Sequence, residues 1–302
     1  MEMRRFVVGV DGSLPARAAV RWAIAHARER DAEVVLVHVA DDEWGAVGAE
    51  LIDEVDEDAR ERLDEELDYA RSVAGGRAIG GELRSGSPMV VLASFSAPDV
   101  MLVVGTHKTG FHYGRAFGSR SLQLANLAIG PVAVVPENAS RLRRGVVVGL
   151  DDTPAGSAAL DLAADLACDH HCELVVVRSS RVAEPFRVDG DDELTDWQLR
   201  RDDTARALLA TAAERVRRRQ PDITVRMRVV RRPPGIALNE IARAAELLVI
   251  GDSRREPGQA GGLGSVAYDV LLNLSSPTIV VHALAAAGRR VTAPEGENHA
   301  VG

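Results

Sequence analysis

The chain reads as two tandem α/β domains, each a doubly wound parallel sheet, on three observations. A strand motif returns at a fixed offset, short Val-rich runs alternate with Ala-rich helical stretches, and the same glycine-rich loop follows the fourth strand of each copy. At 302 residues the chain has room for two domains of ordinary size, each able to bury its own core.

The repeat can be followed strand by strand. Phe6-Val-Val-Gly-Val-Asp11-Gly-Ser returns as Val146-Val-Val-Gly-Leu-Asp151-Asp-Thr, an offset of 140 residues. An Ala-rich stretch with helical spacing follows each, Pro15 to Arg30 and Pro154 to Asp169. Next come the apolar runs Val34–Val39 and Leu174–Ser179. Val100–Gly105 pairs with Glu246–Gly251, and Pro131–Val135 with Pro277–Val281, both at an offset of 146. Six extra residues therefore lie between the second and fourth strands of the second copy. Self-similarity on this scale is the mark of a duplicated domain.

Continuous Val-rich runs suit strands covered on both faces, as in parallel sheets. Their alternation with helices implies right-handed βαβ crossovers. The charged segments Glu50–Ala74 and Asp192–Arg219 are expected to be long amphipathic helices whose charges face water. The expected domains are 1–139 and 140–285, with a boundary in the polar stretch Glu137–Arg144 and a disordered tail over 286–302.

Composition excludes several classes. A net charge of −9 argues against a generic nucleic-acid or anionic-membrane surface. No apolar run approaches the roughly 20 residues of a membrane span, and no signal peptide is evident at the start. Cys168 and Cys172 are the only cysteines, too few for a disulfide framework. A cytoplasmic location is expected.

In an open parallel sheet, ligands bind beyond the carboxyl ends of the strands, where the strand order reverses. Two loops of the first copy belong there: Asp11-Gly12-Ser13, and Gly105-Thr-His-Lys108-Thr-Gly110-Phe-His-Tyr-Gly-Arg-Ala-Phe-Gly118-Ser119-Arg-Ser121. Glycines permit close backbone approach, and free amides at the start of the following helix favour an anion. His107, Lys108, Arg115 and Arg120 surround the same loop with basic groups. The same residues also suit a plain helix start with solvated basic side chains, and Asp11 or Ser13 would serve as a helix cap.

With an Asp ending the first strand and three of the four positions of a Gly-x2-Gly-x9-Gly-Ser layout after the fourth, the sequence resembles the universal stress protein family, as a tandem member. The resemblance covers nearly all of both copies. It implies Rossmann-like sheets of five strands in the order 3-2-1-4-5, and binding of ATP or a related adenine nucleotide, with magnesium accompanying ATP. By position, Asp11 would face the adenosine and Val39 would meet adenine through its backbone. Gly105 would pack near the ribose, while Gly118, Ser119 and Ser121 would hold phosphates. Lys108 stands where the family's second glycine would be, a departure that either adds an ammonium for phosphate or obstructs the loop. The second copy repeats the spacing as Gly251, Arg254, Gly264 and Ser265, together with Asp151. There Ser179 replaces Val39 and Ala267 replaces Ser121, which makes it the weaker site.

The segment Cys168-Asp-His170-His171-Cys172 has the letters of a metal cluster, but its place in the repeat marks the end of a helix and the turn into a strand. Packing and capping are the reading taken, and no metal ligand is assigned. His38 is read as a core or cleft histidine. No nucleophile–base set or P-loop is present, so the chain is read as a nucleotide-dependent regulatory or interaction protein. The alternatives left open are a relative that acts by protein contacts alone and a slow ATP-hydrolysing enzyme. The resemblance further implies an intrachain pseudo-dimer joined through the fifth strands; the protein partner and any homodimer are unassigned.

Overall fold

The computed structural model describes residues 3–41, 49–107, 111–112, 115–116, 119–137, 144–179, 191–252 and 262–283, with side chains except at 49–56, 111–112, 115–116, 119 and 191–199. The first copy runs β1 (Arg5–Val10), α1 (Leu14–Glu29), β2 (Glu33–Ala40), α2 (Ala49–Val73), β3 (Gly80–Ser85), α3 (Pro88–Ser94) and β4 (Val100–Thr106). It continues with a two-residue pair, β5 (Phe111–His112) and β6 (Arg115–Ala116), then α4 (Ser119–Leu127) and β7 (Val132–Pro136). The second copy runs β8 (Val146–Gly149), α5 (Pro154–Asp169), β9 (Leu174–Ser179), α6 (Asp191–Arg219), β10 (Val225–Val230), α7 (Pro234–Ala242), β11 (Leu247–Asp252), α8 (Ser265–Leu272) and β12 (Thr278–His282).

Among the described residues ten of these strands form one sheet, in the order β10-β9-β8-β11-β12-β7-β4-β1-β2-β3, and β5 and β6 pair apart from it. Each half of the large sheet has the 3-2-1-4-5 order expected, and every pairing within such a half is parallel. The halves meet through β7 and β12, which are antiparallel, with Ile279 opposite Ala133 and Val280 opposite Val132. Ala133 and Ile279 are equivalent positions of the repeat. A pseudo-two-fold axis therefore passes through that pair, and the contact is isologous, as in a symmetric dimer. Fusion leaves only β3 and β10 as sheet edges. Arg226 and Arg228 are exposed on β10, charges that discourage edge-to-edge pairing.

Alternation along the strands builds two apolar layers. Phe6, Val8, Leu36, Met101 and Val103 pack under α1 and α2, and their counterparts under α5 and α6. Val7, Val35, Val37, Leu102 and Val104 face α3 and α4, with counterparts under α7 and α8. Each layer runs unbroken across the β7–β12 seam. Phe6 and its neighbours are almost wholly buried, and each large side chain withdrawn from water this way contributes about 1.5–3 kcal/mol.

Helix α1 shows how local sequence sets the geometry. Ser13 is extended and its Oγ accepts the Ala16 amide at 3.3 Å, capping the helix start, with Pro15 in the first turn. Buried Ala16, Ala19, Val20, Ala23 and Ala27 make a narrow stripe of mostly small side chains, so the helix lies close to the sheet. It ends where Asp31 turns left-handed (φ 49) and the Ala32 amide donates to Ala27 O at 3.0 Å. Helix α5 repeats the device: Thr153 accepts the Gly156 amide at 3.0 Å, His171 has φ 49, and the Cys172 amide donates to Ala167 O at 2.9 Å.

The registers sharpen the position of the insertion. Val35 pairs with Gly80, whereas its counterpart Val175 pairs with Arg226, so the offset has already reached 146 at the third strand. All six extra residues lie between the second and third strands. The expectation that the charged helices face water only is corrected at two acids. Glu66 of α2 is fully buried and accepts from Arg17 at 2.8 Å. Asp202 of α6 is buried against Arg231, whose hydrogen bond holds the carboxyl below its usual range. No helix among the described residues is long and apolar enough to cross a membrane.

Candidate functional site

In each copy a cleft opens at the carboxyl ends of the first and fourth strands, where the helices that follow leave on opposite faces of the sheet. The first encloses about 220 Å³ and is lined by Asp11, Val39, Gly105, Arg120 and Ser121, residues drawn from four separate stretches of the chain. Met89 and Leu92 of α3 form an apolar wall, and Asp41, just beyond β2, adds a second carboxylate. The structure thus brings together Asp11, Val39, Gly105 and Ser121 of the residues singled out from sequence. Asp41 and the α3 wall are not among the residues singled out from sequence; in the structure Pro88 opens α3.

Each wall has a local cause. Asp11 is exposed, and its Oδ1 accepts the Ser13 amide at 3.1 Å. The helix cap itself is Ser13, so Asp11 fixes the loop while lining the cleft. Val39 ends β2 half-buried. His38, beside it, is buried and donates from Nδ1 to Val10 O at 2.8 Å, which ties the ends of β1 and β2 together and makes it a structural residue. Ser121 is buried in the first turn of α4.

Gly105 has a reason to be glycine that does not depend on any ligand. A Cβ there would sit 2.1 Å from Pro15 O and 2.6 Å from the Ala16 amide nitrogen. The strand end therefore packs directly on the first turn of α1. Gly251 is in the same position against Ala155 and Gly156, with the nearest atoms at 2.6 Å. These glycines set the width of the cleft by letting helix and strand close on each other.

Ser119 begins α4, so backbone amides of that helix's first turn face the loop side of the cleft. The loop before it carries the short β5–β6 pairing, with Phe111 opposite Ala116, where the sequence suggested only irregular chain. Lys108, Gly110 and Gly118 lie outside the described residues, as does Arg254 in the second copy.

The second cleft is smaller, about 150 Å³, and differs at its centre. Asp252, at the Thr106 position, is buried, and its Oδ1 accepts the Gly264 amide at 2.9 Å. Its Oδ2 lies 3.5 Å from Nδ1 of the fully buried His282. A carboxylate thus occupies the start of α8, the position where an anion would bind. Ser179 is also engaged, donating its hydroxyl to Arg232 O, and Ala267 replaces the Ser121 hydroxyl. Asp151 accepts from the Thr153 hydroxyl and is drawn into the cap of α5. Gly264 and Ser265 line this cleft with Gly251, but around a site already supplied with a negative charge.

The Cys168–Cys172 segment is the end of α5. Cys168 is exposed in its last turn, His170 is the cap and His171 the left-handed residue. Burial pushes the Cys172 thiol above its ordinary value, away from the thiolate that redox or metal chemistry needs.

A family model for the universal stress protein family matches the chain twice, over residues 2–136 and 143–282. A universal stress protein of Mycolicibacterium smegmatis is 32% identical over 286 residues, covering 91% of this chain and 96% of that protein. A universal stress protein of Mycobacterium tuberculosis is 30% identical over 305 residues, with 91% and 93% covered. Among solved structures, a universal stress protein from Archaeoglobus fulgidus superposes with a TM-score of 0.65 at 18% identity, spanning 94% of this chain and 100% of that one, a likeness of fold.

Proposed function

The chain belongs to the universal stress protein family, and from that premise we propose that its first copy binds ATP or a related adenine nucleotide and acts as a nucleotide-dependent regulatory protein. The observation that carries the reading is the convergence of Asp11, Val39, Gly105, Arg120 and Ser121 on one cleft at the strand-order reversal.

The residues suit the parts of such a ligand. Val39 and the wall of Met89 and Leu92 offer apolar surface to a base. Asp11 can accept from ribose hydroxyls. The first turn of α4, with the Ser121 hydroxyl and the Arg120 guanidinium, offers donors and positive charge to phosphates. Lys108 and Gly118 would complete that end. A magnesium ion would be held mainly by phosphate and water, with Asp11 and Asp41 as the carboxylates of the cleft. Binding would then bias the loop over residues 107–118, and with it the face offered to a protein partner.

In the second copy Asp252 argues for weaker or no phosphate binding, so the expected occupancy is one nucleotide per chain. Heating the purified protein and chromatographing the supernatant tests the reading: adenine nucleotide should be released. A protein that comes out empty and shows no melting shift with added ATP would refute it.

A further inference from the structure

Both clefts lie at the carboxyl ends of the strands. Toward the amino ends of the strands, beside the β7–β12 seam, the C-terminal ends of α1 and α5 meet across the pseudo-two-fold axis. Arg30 of the first copy is 2.6 Å from Asp169 of the second. The symmetry-related pair is His170 with Glu29, 3.0 Å apart, since Glu29 and Asp169 are equivalent positions, as are Arg30 and His170. An imidazole thus stands where strict symmetry would have repeated an arginine.

That imidazole has company. Its Nδ1 is 3.0 Å from Glu246 Oε1, at the start of β11. Its ring centroid is 4.6 Å from that of His26, which stacks at 3.8 Å on Trp22. His26 is only 4% exposed. Its Nδ1 donates to Trp22 O at 2.8 Å, which leaves Nε2 with the lone pair, and that buried nitrogen has no hydrogen-bond partner. One ligand atom each from His26, His170 and Glu246 lie within 4.8 Å of one another.

We propose that His26, His170 and Glu246 form a binding site for a zinc-class divalent cation that bridges the two copies. Two imidazoles and a carboxylate are a borderline donor set that suits zinc, with the fourth position left to water. The 3.0 Å between His170 Nδ1 and Glu246 Oε1 is a little shorter than the roughly 3.3 Å edge of a tetrahedron built on metal–ligand bonds of about 2.0–2.1 Å. Closing the site asks this pair to open slightly and both to move toward His26, from ligand atoms that lie within 4.8 Å of one another.

The surroundings hold the ligands as a metal site does. Trp22 O fixes the tautomer of His26, and a Glu29 carboxylate oxygen lies 3.0 Å from the far nitrogen of His170. Burial, then the neighbouring His170, lower the His26 pKa to about 3, so this ring is neutral and able to ligate. At His170 burial lowers the pKa, but Glu246, Glu29 and Asp169 outweigh it and raise the value. Proton and metal therefore compete at this ring, and binding is best measured at mildly alkaline pH. None of these residues lines a nucleotide cleft, so the proposal stands whether or not the chain binds ATP.

The test is zinc titration of the full, chelator-stripped chain by calorimetry, with cobalt(II) substitution read by absorption. Expected are one zinc per chain, a tetrahedral cobalt spectrum without a thiolate charge-transfer band, and a higher melting temperature with zinc. Glu246→Gln and His170→Asn, at half-buried positions that tolerate exchange better than His26, should each weaken zinc at least tenfold and remove the melting shift. A Cys168→Ser/Cys172→Ser variant should bind as the parent does. Absence of stoichiometric zinc, unchanged affinity in Glu246→Gln and His170→Asn, or loss in the cysteine variant would each overturn the proposal.

Discussion

The Gly264 amide donates to the Asp252 carboxylate at 2.9 Å, at the place where the second copy would otherwise offer its helix start to a phosphate. Thr106 stands at the matching position of the first copy and turns its hydroxyl to the His107 carbonyl at 3.0 Å. One copy places a carboxylate at this position and the other a hydroxyl. Asp252→Thr, which installs the first copy's residue, should raise adenine-nucleotide stoichiometry from one to two per chain in an equilibrium titration. Stoichiometry unchanged in a folded variant would show that Asp252 is not what sets the two clefts apart.

Gly105→Ala should destabilise the chain by about 1–3 kcal/mol even without nucleotide, because its Cβ would meet the Pro15 carbonyl at 2.1 Å. Backbone, unlike a side chain, cannot rotate out of the way. Urea unfolding of the ligand-free protein checks this. An unchanged midpoint would return Gly105 to a purely ligand-facing role.

Arg17 is the partner of a fully buried carboxylate, Glu66, on the neighbouring helix. Arg17→Met should cost about 3 kcal/mol, since it leaves that charge uncompensated. Adding Glu66→Gln to it should recover part of the loss, because an amide is cheaper to bury than an unpaired carboxylate. Denaturation of the single and double variants gives the comparison, and equal stability of the two would contradict it.

Ser13→Ala and Thr153→Ala remove the side-chain caps of α1 and α5. Each should lower stability by about 1 kcal/mol. Ser13→Ala keeps the backbone amide that holds Asp11, so nucleotide binding should persist in it. Thr153→Ala should likewise leave binding as it is, and a thermal-shift assay with and without ATP checks both.

Much of the fold was legible because the strands are Val-rich runs repeated at two fixed offsets. The third strands were not, and for a physical reason. Gly80–Ser85 and Val225–Val230 are edge strands, exposed along most of their length, and carry no continuous apolar run. The insertion could therefore be bounded only by the second and fourth strands. The cleft residues Asp11 and Ser121 could be found from repeat and loop chemistry, yet the packing reason for Gly105 depends on a helix some ninety residues earlier. Asp252 was readable as the residue following Gly251, where the first copy has Thr106. The group of His26, His170 and Glu246 was not, because only the antiparallel seam of β7 and β12 brings the two helix ends together. The local Cys-Asp-His-His-Cys spelling has the letters of a metal cluster, while the geometry concerns one of its histidines.

The first cleft is tested most directly as a nucleotide site by calorimetric titration of ATP into the full chain beside Val39→Trp, which fills that cleft from the end of β2. The expected result is one adenine nucleotide per chain for the parent and none for the variant at unchanged stability. Equal binding by the two proteins, or no binding by either, would contradict it.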